Sequence, residues 1–502
     1  MLRLHLKSLC LLALASVSAF VNAQTTTPIC TGGPIESPNK FDANKDYFAD
    51  AANRVEIKHA KNFQVTYNKN YKLATVTFPD GKQKAYKLHL CNSATAVPTD
   101  VGIPIDKSAL GLKEVYAVGF LQRLEQLSKI AYIQFDVPDV SSPCLLGQVN
   151  AGQTIPYSEP GIPSNTSVVF GSAGPDGVPV VSVAEAMLAE QTPLARAEWI
   201  KFYSLFFNLE SKATSIFENQ ILAPYQCMAS YAKSAAKTQK TVLWVAADKA
   251  ETPASSFSGD GKYETELITD AGATRVLVPA GSTKDATLSI FPNANTFIDD
   301  TDTGKQELKW GAIMGFYGFD ASQGVNFPWW RGTATAQIFK PDNLRLPGGL
   351  SYTRYNAPAI PEVVLRNLIQ VLGGTYKSPD KIIEDNLYFR HIPLEGNAVH
   401  LTADDCAAYV YDRTFTSPTG FPDCATAKIG DSSDGGHGGV SSGGVAVIVI
   451  FIFTAIAAAV LGYMHRYELR EWFGNVRERG FGGSHRVGDP WGGKKFQGFQ
   501  LK

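Results

Sequence analysis

Aromatic side chains stand beside arginines in several turn-rich stretches in the second half of this 502-residue chain. A guanidinium binds anions through charge-assisted hydrogen bonds and attracts π-systems through the cation–π interaction. Aromatic walls with a few fixed polar groups are the usual composition of a small-molecule site. The combination predicts a cleft for an anionic or π-rich ligand, although tryptophans also commonly pack inside cores. The ligand-binding residues predicted in this half are Trp244, Tyr263, Trp329, Trp330, Arg331, Arg354 and Tyr355.

No catalytic pattern competes with this prediction. The chain lacks the HExxH, CxxC and P-loop patterns, and its eight histidines are scattered along the sequence. We therefore predict a protein that is not an enzyme and holds no cofactor or protein-only metal site. Residues 299–302 could chelate a hard cation, but a solvated acidic turn is the commoner form of such a run. A chelatase on this fold would need a histidine or carboxylate pair, for which His391 and Glu185 are the candidates.

The elements that precede this half alternate between strand and helix. Residues 62–90 contain two strand-like runs around Pro79-Asp80-Gly81, which predicts a β-hairpin. Strands are then expected at 113–119, 130–135, 167–170 and 178–183, with a helix at 120–127. Such alternation predicts a parallel sheet, whose ligands bind at the carboxyl ends of the strands. The predicted binding edge holds Gly119, Phe120, Gly171, Ser172 and Glu185.

A long amphipathic helix is predicted to connect the two halves. Thr192 can cap it, Pro193 suits its first position, and apolar residues recur at steps of three or four up to Leu222. We expect Pro224 to interrupt the helix and a second segment to follow. The second half then repeats the alternation, with strands at 241–246, 276–278 and 295–300 and helices at 265–276 and 360–372.

Several of these pieces resemble class III solute-binding proteins, the bacterial family that captures iron siderophores, cobalamin and haem. Glu185, Arg196 and Glu198 stand in VVSVAEAMLAEQTPLARAEW, which is similar to the family's run into its inter-lobe helix. The second-half pieces that carry the resemblance are Trp244, Gly259, Gly261, Tyr263, Asp270, Ala271, Gly272 and the PEVVLRNLI helix.

The resemblance implies an α/β fold of two Rossmann-like lobes joined by a long helix, with little closure between them. It implies ligand-binding roles for Glu185 and Arg196, although a set of salt bridges on one helix face is an equal alternative. The implied ligand is a metal chelate, most specifically a ferric siderophore, or else haem or cobalamin. The implied lobes are residues 62–192, including the hairpin, and residues 241–400, joined by 193–240.

The two ends of the chain predict an anchored surface protein. Residues 1–23 read as a secretory signal, followed by a polar segment at 24–61. Residues 445–464 form an uncharged apolar run long enough to span a bilayer, and the basic tail at 465–502 is expected in the cytosol. We therefore expect a single-pass protein of the cell membrane or endomembranes. A transporter or sorting adaptor is a possible partner, whereas 46 Lys and Arg against 47 Asp and Glu argue against nucleic acid.

Cysteine usage agrees with an extracellular location. Six cysteines follow the signal and are all predicted to form disulfides. Their connectivity is open, and Cys406 with Cys424 is expected as a local pair in the segment 401–444, which ends in a Gly/Ser linker. Asn165 begins a glycosylation sequon. The other predicted disulfide cysteines are Cys30, Cys91, Cys144 and Cys227.

These observations predict a membrane-anchored extracellular protein that captures a metal chelate between two lobes. The alternative is a surface receptor or adhesion protein that keeps the fold without small-ligand binding. That alternative predicts that Trp244, Tyr263, Trp329 and Arg354 do not converge on one cleft.

Overall fold

The computed structural model describes residues 45–90, 101–103, 105, 110–156, 166–174, 176–235, 240–249, 252–304, 306–330, 336–346, 348–373, 388–393, 398–408 and 424. All of them belong to the first of two compact units, Met1–Ser432. Among these residues no helix combines the length and the apolar content that a bilayer crossing requires. The predictions that lie outside the described residues concern the signal 1–23, Cys30, Cys91, Asn165, Arg331, the apolar run 445–464 and the tail 465–502.

The predicted hairpin is a three-stranded antiparallel sheet that a fourth, parallel strand extends. Its first run folds back on itself through a turn at Lys69 and Asn70, so one expected strand is two. Alternate residues Lys72, Ala74 and Val76 are buried, as the two-residue period of a strand with one covered face requires. The strands are β1 (Phe63–Asn68), β2 (Tyr71–Thr77), β3 (Gln83–Leu90) and β4 (Val101–Ile103).

The first large sheet is five-stranded, parallel throughout, and has the order β7–β6–β5–β8–β9. The α/β fold with parallel sheets predicted from the alternation of elements is thereby confirmed. Its elements are β5 (Leu110–Leu112), α1 (Tyr116–Arg123), β6 (Ile130–Ile133), α2 (Pro143–Asn150), β7 (Ile155–Pro156), β8 (Val168–Phe170), β9 (Val180–Val181) and α3 (Ala184–Leu188).

The strand predicted at 113–119 is wrong, because the strand ends at Leu112 and a helix begins at Tyr116. Ala117, Phe120 and Leu121 are buried together at helical spacing, whereas a strand would expose alternate residues unless both its faces were covered. The carboxyl edge of this sheet therefore falls at residues 113–116, before Gly119 and Phe120.

The connector between the two large sheets is segmented rather than one long helix. Its first break is the turn at Glu198 and Trp199, and a second lies at Asn208, which adopts the left-handed conformation with φ 56°. Pro224 does not interrupt the chain as predicted. The π-helical turn Ile216–Leu222 leads directly into the next helix. Pro224 follows this turn, where the regular α-helical hydrogen-bond pattern is already interrupted, so the N–H that proline lacks is tolerated there. The α-helical pieces are α4 (Pro193–Ala197), α5 (Ile200–Ser204), α6 (Glu210–Ser215) and α7 (Ala223–Ala235).

The second large sheet is seven-stranded and has the order β13–β11–β10–β14–β15–β17, with β12 also paired to β10. Its central strands β12, β10, β14 and β15 are parallel. The elements of this half are β10 (Lys240–Ala247), β11 (Phe257–Gly259), α8 (Lys262–Asp270), β12 (Ala273–Val276), β13 (Val278–Ser282), α9 (Lys284–Ile290), β14 (Thr296–Asp299), α10 (Trp310–Tyr317), α11 (Ala321–Gly324), β15 (Ile338–Lys340), β16 (Leu344–Arg345), α12 (Tyr352–Asn356), α13 (Pro361–Gly373), β17 (Arg390–His391) and β18 (Val399–His400). β16 and β18 form a separate two-stranded parallel sheet.

The helix predicted at 265–276 begins earlier, at Lys262, and ends at Asp270. Gly272 has φ 76°, and a Cβ there would lie 2.6 Å from the backbone oxygen of Ala232. A left-handed glycine of this kind stops a helix. The following residues form β12, and the strand predicted at 276–278 is divided between β12 and β13.

The two halves of the unit touch directly where α1 packs against α12 and α13. Gly119 allows this approach, because a Cβ there would lie 2.8 Å from Asn356 Oδ1. Arg123 Nη2 donates to Glu362 Oε1 at 2.7 Å, and both side chains are buried. Asn356 Nδ2 donates to the backbone oxygen of Ser141 at 2.8 Å.

Disulfides add covalent links, and the expected pairing of Cys406 with Cys424 is wrong. Cys144 on α2 is bonded to Cys406, and Cys227 on α7 is bonded to Cys424. The sequence separations are 262 and 197 residues, so the segment after the second sheet returns to the first half and to the connector. Local spacing could not reveal this arrangement, because both partners come from distant elements.

Candidate functional site

A shallow, solvent-open pocket lies at the carboxyl ends of β14 and β15. These neighbouring parallel strands are followed by the turns that begin at Asp300 and Pro341, and both turns line the pocket. The place is the one at which parallel sheets commonly bind ligands. The side chains that decide its chemistry are Asp300, Asp302, Lys340, Arg345, Arg354 and Tyr355.

Arg354 is held at the pocket by two carboxylates. Its Nη2 lies 2.5 Å from Asp300 Oδ1 and also donates to the Asp300 backbone oxygen at 2.7 Å. Its Nη1 lies 2.8 Å from Asp302 Oδ2. The negative charge of Asp300, followed by that of Asp302, raises the pKa of Arg354 above its ordinary value. The guanidinium is therefore charged but already neutralised by its neighbours.

Trp244 contacts the Asp300 carboxylate from the buried side of this cluster. The indole is buried in β10, and its Nε1 donates to Asp300 Oδ2 at 3.0 Å. Asp300 thus joins a buried aromatic ring to a half-exposed arginine through its two oxygens. A carboxylate with both oxygens engaged has a fixed orientation, which fixes Arg354 in turn.

Two tyrosines from different halves meet beside the pocket. The rings of Tyr116 on α1 and Tyr355 on α12 have centroids 5.3 Å apart. Both side chains are half-buried. Burial raises the pKa of both hydroxyls, so both remain neutral donors at physiological pH. They form an aromatic wall with polar edges.

Arg196 and Tyr263 form a second aromatic contact in the same region. The guanidinium carbon of Arg196 lies 3.9 Å from the Tyr263 ring centroid, which is a close cation–π distance. Arg196 Nε donates to the Glu190 backbone oxygen at 3.0 Å. Within the described part of the chain, no carboxylate forms an ion pair with Arg196, which is half-exposed.

A glutamate and an arginine complete the surroundings of Tyr263. Arg275 Nη1 lies 3.7 Å from Glu264 Oε2, and its Nη2 donates to the Trp244 backbone oxygen at 3.1 Å. Burial raises the pKa of Glu264 and lowers that of Arg275. Asp300 also contributes to the shift of Glu264, so these groups share one electrostatic environment with the pocket.

The carboxyl edge of the first sheet carries a separate titratable group. Glu114 follows β5, and Tyr203 donates its hydroxyl to Glu114 Oε1 at 3.1 Å. Burial raises the pKa of Glu114 to about 7, although the hydrogen bonds from Tyr203 and from the Ala184 backbone partly oppose this shift. This carboxyl is therefore partly protonated at neutral pH.

The structure brings together five residues predicted to bind ligand: Arg196, Trp244, Tyr263, Arg354 and Tyr355. It places the others elsewhere. Phe120 is buried and stacks on Tyr203 with centroids 5.0 Å apart, while Ser172 and Glu185 are exposed on the first half. Trp329 lies fully buried in an aromatic core, and Trp330 packs on Trp310 at 4.9 Å.

The sequence interpretation did not include Tyr116, Asp300 or Asp302 in the site. The signal for the two aspartates was available, since they end the predicted strand 295–300 and carboxyl ends of strands carry ligands. Tyr116 was hidden by the strand wrongly predicted across it. In the described residues, no group of three or more His, Cys, Asp or Glu side chains could hold a metal. The cation beside Asp300 and Asp302 is Arg354.

Glu198 of the RAEW run has a structural environment. Its carboxylate accepts backbone N–H groups from Lys58, His59 and Ala60 at 2.6–3.1 Å. Lys201 Nζ lies 2.8 Å from Glu198 Oε1, which is the salt bridge expected on one helix face. Burial opposes ionisation of Glu198, but Lys201 and these N–H groups outweigh it and lower the pKa. The residue thus fixes the N-terminal segment to the connector.

The sequence matches no protein-family model and no curated protein. Solved structures with a distantly similar fold are periplasmic binding proteins. A haem-binding protein from Pseudomonas aeruginosa is 12% identical with a TM-score of 0.39, over 59% of this chain and 100% of its own. A petrobactin-binding protein from Bacillus subtilis is 13% identical with a TM-score of 0.38, over 61% and 99%. A protein of an Fe³⁺-hydroxamate transport system from Saccharomonospora viridis is 12% identical with a TM-score of 0.35, over 55% and 96%.

Proposed function

We propose that this chain is a binding protein for a small ligand, which it captures at the pocket bordered by Arg354, Tyr355 and Tyr116. The observation that supports the proposal is convergence. Side chains from α1 and α12 meet beside the carboxyl ends of two parallel strands, and Trp244 of β10 contacts the same cluster through Asp300. Half-exposed aromatic and guanidinium groups of this kind provide stacking and directed hydrogen bonds without catalytic machinery.

The finer proposal is that the ligand is a ferric siderophore. The pocket is shallow and open to solvent, so a ligand held there stays partly exposed and is contacted mainly on one side. Neutral tyrosine hydroxyls can donate to the oxygen atoms of a chelate, and Arg196 provides a positive charge that no carboxylate in the described residues neutralises.

We further propose that capture takes place at the outer face of a membrane, with residues 445–464 as the anchor. The support is the sequence pattern of a signal, an apolar run and a basic tail. The disulfides Cys144–Cys406 and Cys227–Cys424 suit an oxidising compartment.

The test is calorimetric titration of the purified full-length chain with ferric siderophores, haem and cobalamin. We expect at least one ferric siderophore to bind with a dissociation constant below about 100 μM. Tyr355→Ala should weaken that binding at least about fivefold, since an aromatic contact contributes about 1 kcal/mol or more. Tyr231→Ala removes an exposed tyrosine on α7 and should leave the affinity unchanged. Equal losses in both variants, or no binding by any chelate, would reject the proposal.

A second candidate function is a receptor or adhesion protein that has lost small-ligand binding. The observation that favours it is that the charged and aromatic side chains of the site already contact one another. Asp300 and Asp302 neutralise Arg354, and Tyr116 contacts Tyr355 across the two halves. This candidate predicts no heat of binding with any of the chelates in the same titration.

A further inference from the structure

We infer that the pocket selects chelates without net negative charge and discriminates against strongly anionic ones. The inference rests on the proposed function and names the ligand class for the same site. It concerns the balance of charges rather than the identity of any one contact. Its basis is that the basic side chains lining the pocket are paired with carboxylates of the protein.

The pairing holds for each of the three basic residues that line the pocket. Lys340 Nζ lies 2.9 Å from Asp299 Oδ2, and both side chains are almost fully buried. Arg345 Nη2 lies 2.6 Å from Asp342 Oδ2, again with both partners buried. Asp342 is shared with Arg390, whose Nε lies 2.9 Å from Asp342 Oδ1, and Arg345 Nη1 also donates to the Gly349 backbone oxygen at 2.6 Å. Turning either buried cation toward a ligand would break such contacts, which is costly. These two cations are therefore not available to an anion.

The third cation, Arg354, is more than neutralised. It contacts Asp300 and Asp302 together, so this cluster holds one carboxylate in excess. The Asp302 side chain is 61% exposed, whereas that of Arg354 is 28% exposed. An incoming ligand thus meets the carboxylate before it meets the guanidinium. The local field at the mouth of the pocket is that of a negative group.

Arg196 does not line the pocket. It stacks on Tyr263, and its neighbours Glu264 and Arg275 form a pair with opposite charges. The basic side chains that line the pocket are thus all paired with carboxylates, and the exposed Asp302 adds a negative charge, so an anion finds no net attraction there. A trianionic ferric tris-catecholate would lose hydration without a compensating cation, whereas a neutral ferric tris-hydroxamate would not.

The test compares these two chelates by calorimetry on the purified full-length chain in mild detergent. We expect the neutral ferric tris-hydroxamate to bind at least tenfold more tightly than the trianionic ferric tris-catecholate. Asp302→Asn removes the exposed charge and keeps an oxygen that can accept the Gly304 N–H. It should strengthen binding of the trianion about tenfold relative to the neutral chelate, the effect of one unit charge on three at roughly 8 Å in water. Asp285→Asn, an exposed change on α9 outside the pocket lining, is the matched control.

Each outcome decides between the two proposals. If the trianion binds as tightly as the neutral chelate, the charge inference is overturned and the proposed function stands. If Asp302→Asn and Asp285→Asn change the ratio equally, Asp302 does not face the ligand and the inference is likewise overturned. If neither chelate binds, the proposed function itself fails. If the wild type binds the neutral chelate tenfold more tightly and only Asp302→Asn reduces this preference, the charge inference and the proposed function are both supported.

Discussion

Replacing Asp300 by alanine tests the core of the candidate site. The change removes the acceptor of the Trp244 indole N–H and one partner of Arg354. A buried donor left without a partner costs about 1–3 kcal/mol. The ion pair is partly exposed, with side chains 28% and 25% accessible, so we assign it no more than about 1 kcal/mol. We therefore expect Asp300→Ala to lower the free energy of unfolding by about 1–4 kcal/mol.

The assay is denaturant unfolding followed by tryptophan fluorescence, with Asp300→Asn as the matched variant. Asparagine retains an oxygen for Trp244 but loses the charge that Arg354 contacts, so its cost should be near 1 kcal/mol. A double-mutant cycle with Trp244→Phe isolates the indole hydrogen bond. In the Trp244→Phe background, Asp300→Ala should cost about 1–2 kcal/mol less than in the wild type, because no indole donor is then left without its acceptor.

Two results would refute this reasoning. Equal costs for Asp300→Ala and Asp300→Asn would mean that the hydrogen bond to Trp244 contributes nothing measurable. A cycle without coupling would mean that Asp300 and Trp244 act independently. In either case Asp300 would no longer explain the position of Arg354 at the pocket.

Two further predictions concern buried carboxyls. Glu198→Gln leaves Lys201 buried without its charge partner and should lower the free energy of unfolding by about 3–5 kcal/mol, measured with denaturant. The control Glu56→Gln changes an exposed side chain and should cost less than about 0.5 kcal/mol. Similar small losses for both variants would contradict the role of Glu198. Glu114 has a folded-state pKa raised to about 7, so the folded state retains its proton more strongly and stability should fall as pH rises from about 5 to 8. Glu114→Gln should lessen that fall in thermal melts and the exposed Glu185→Gln should not, and parallel melting curves for wild type and Glu114→Gln across this range would refute the assignment.

Local signals predicted much of the fold. Thr192 caps α4 through a hydrogen bond from the Ala195 N–H, and Pro193 takes its first position, as the sequence indicates. The helix expected at 360–372 is α13. In such cases the residues that specify the element lie within the element, so no distant partner is needed to read it.

The errors arose where distant partners decide the outcome. Tyr116–Arg123 is apolar on most sides because other elements cover it, so its periodicity does not separate helix from strand. Cys144 and Cys406 are 262 residues apart, and nothing in the spacing of cysteines indicates that α2 receives the returning chain. The same limit applies to Trp329, whose type suits a ligand wall and a core equally well.

The residues of the candidate site divide in the same way, into those that local sequence predicts and those that depend on contacts between distant elements. Sheet-edge reasoning reaches Asp300, because it depends only on where β14 ends. The contact between Tyr116 and Tyr355 could not be predicted, because it depends on how α1 packs against α12. Gly119 permits that packing by its missing side chain, which is a property of the assembled halves rather than of either sequence segment.

The contacts that join the two halves affect the rate at which a ligand can bind. Arg123 with Glu362, Asn356 with the Ser141 backbone, and the Cys144–Cys406 link resist any parting of the halves. A ligand therefore reaches its place without waiting for a large rearrangement of the protein. Compounds that fit well and compounds that fit poorly should arrive at similar rates, and their affinities should differ mainly in residence time.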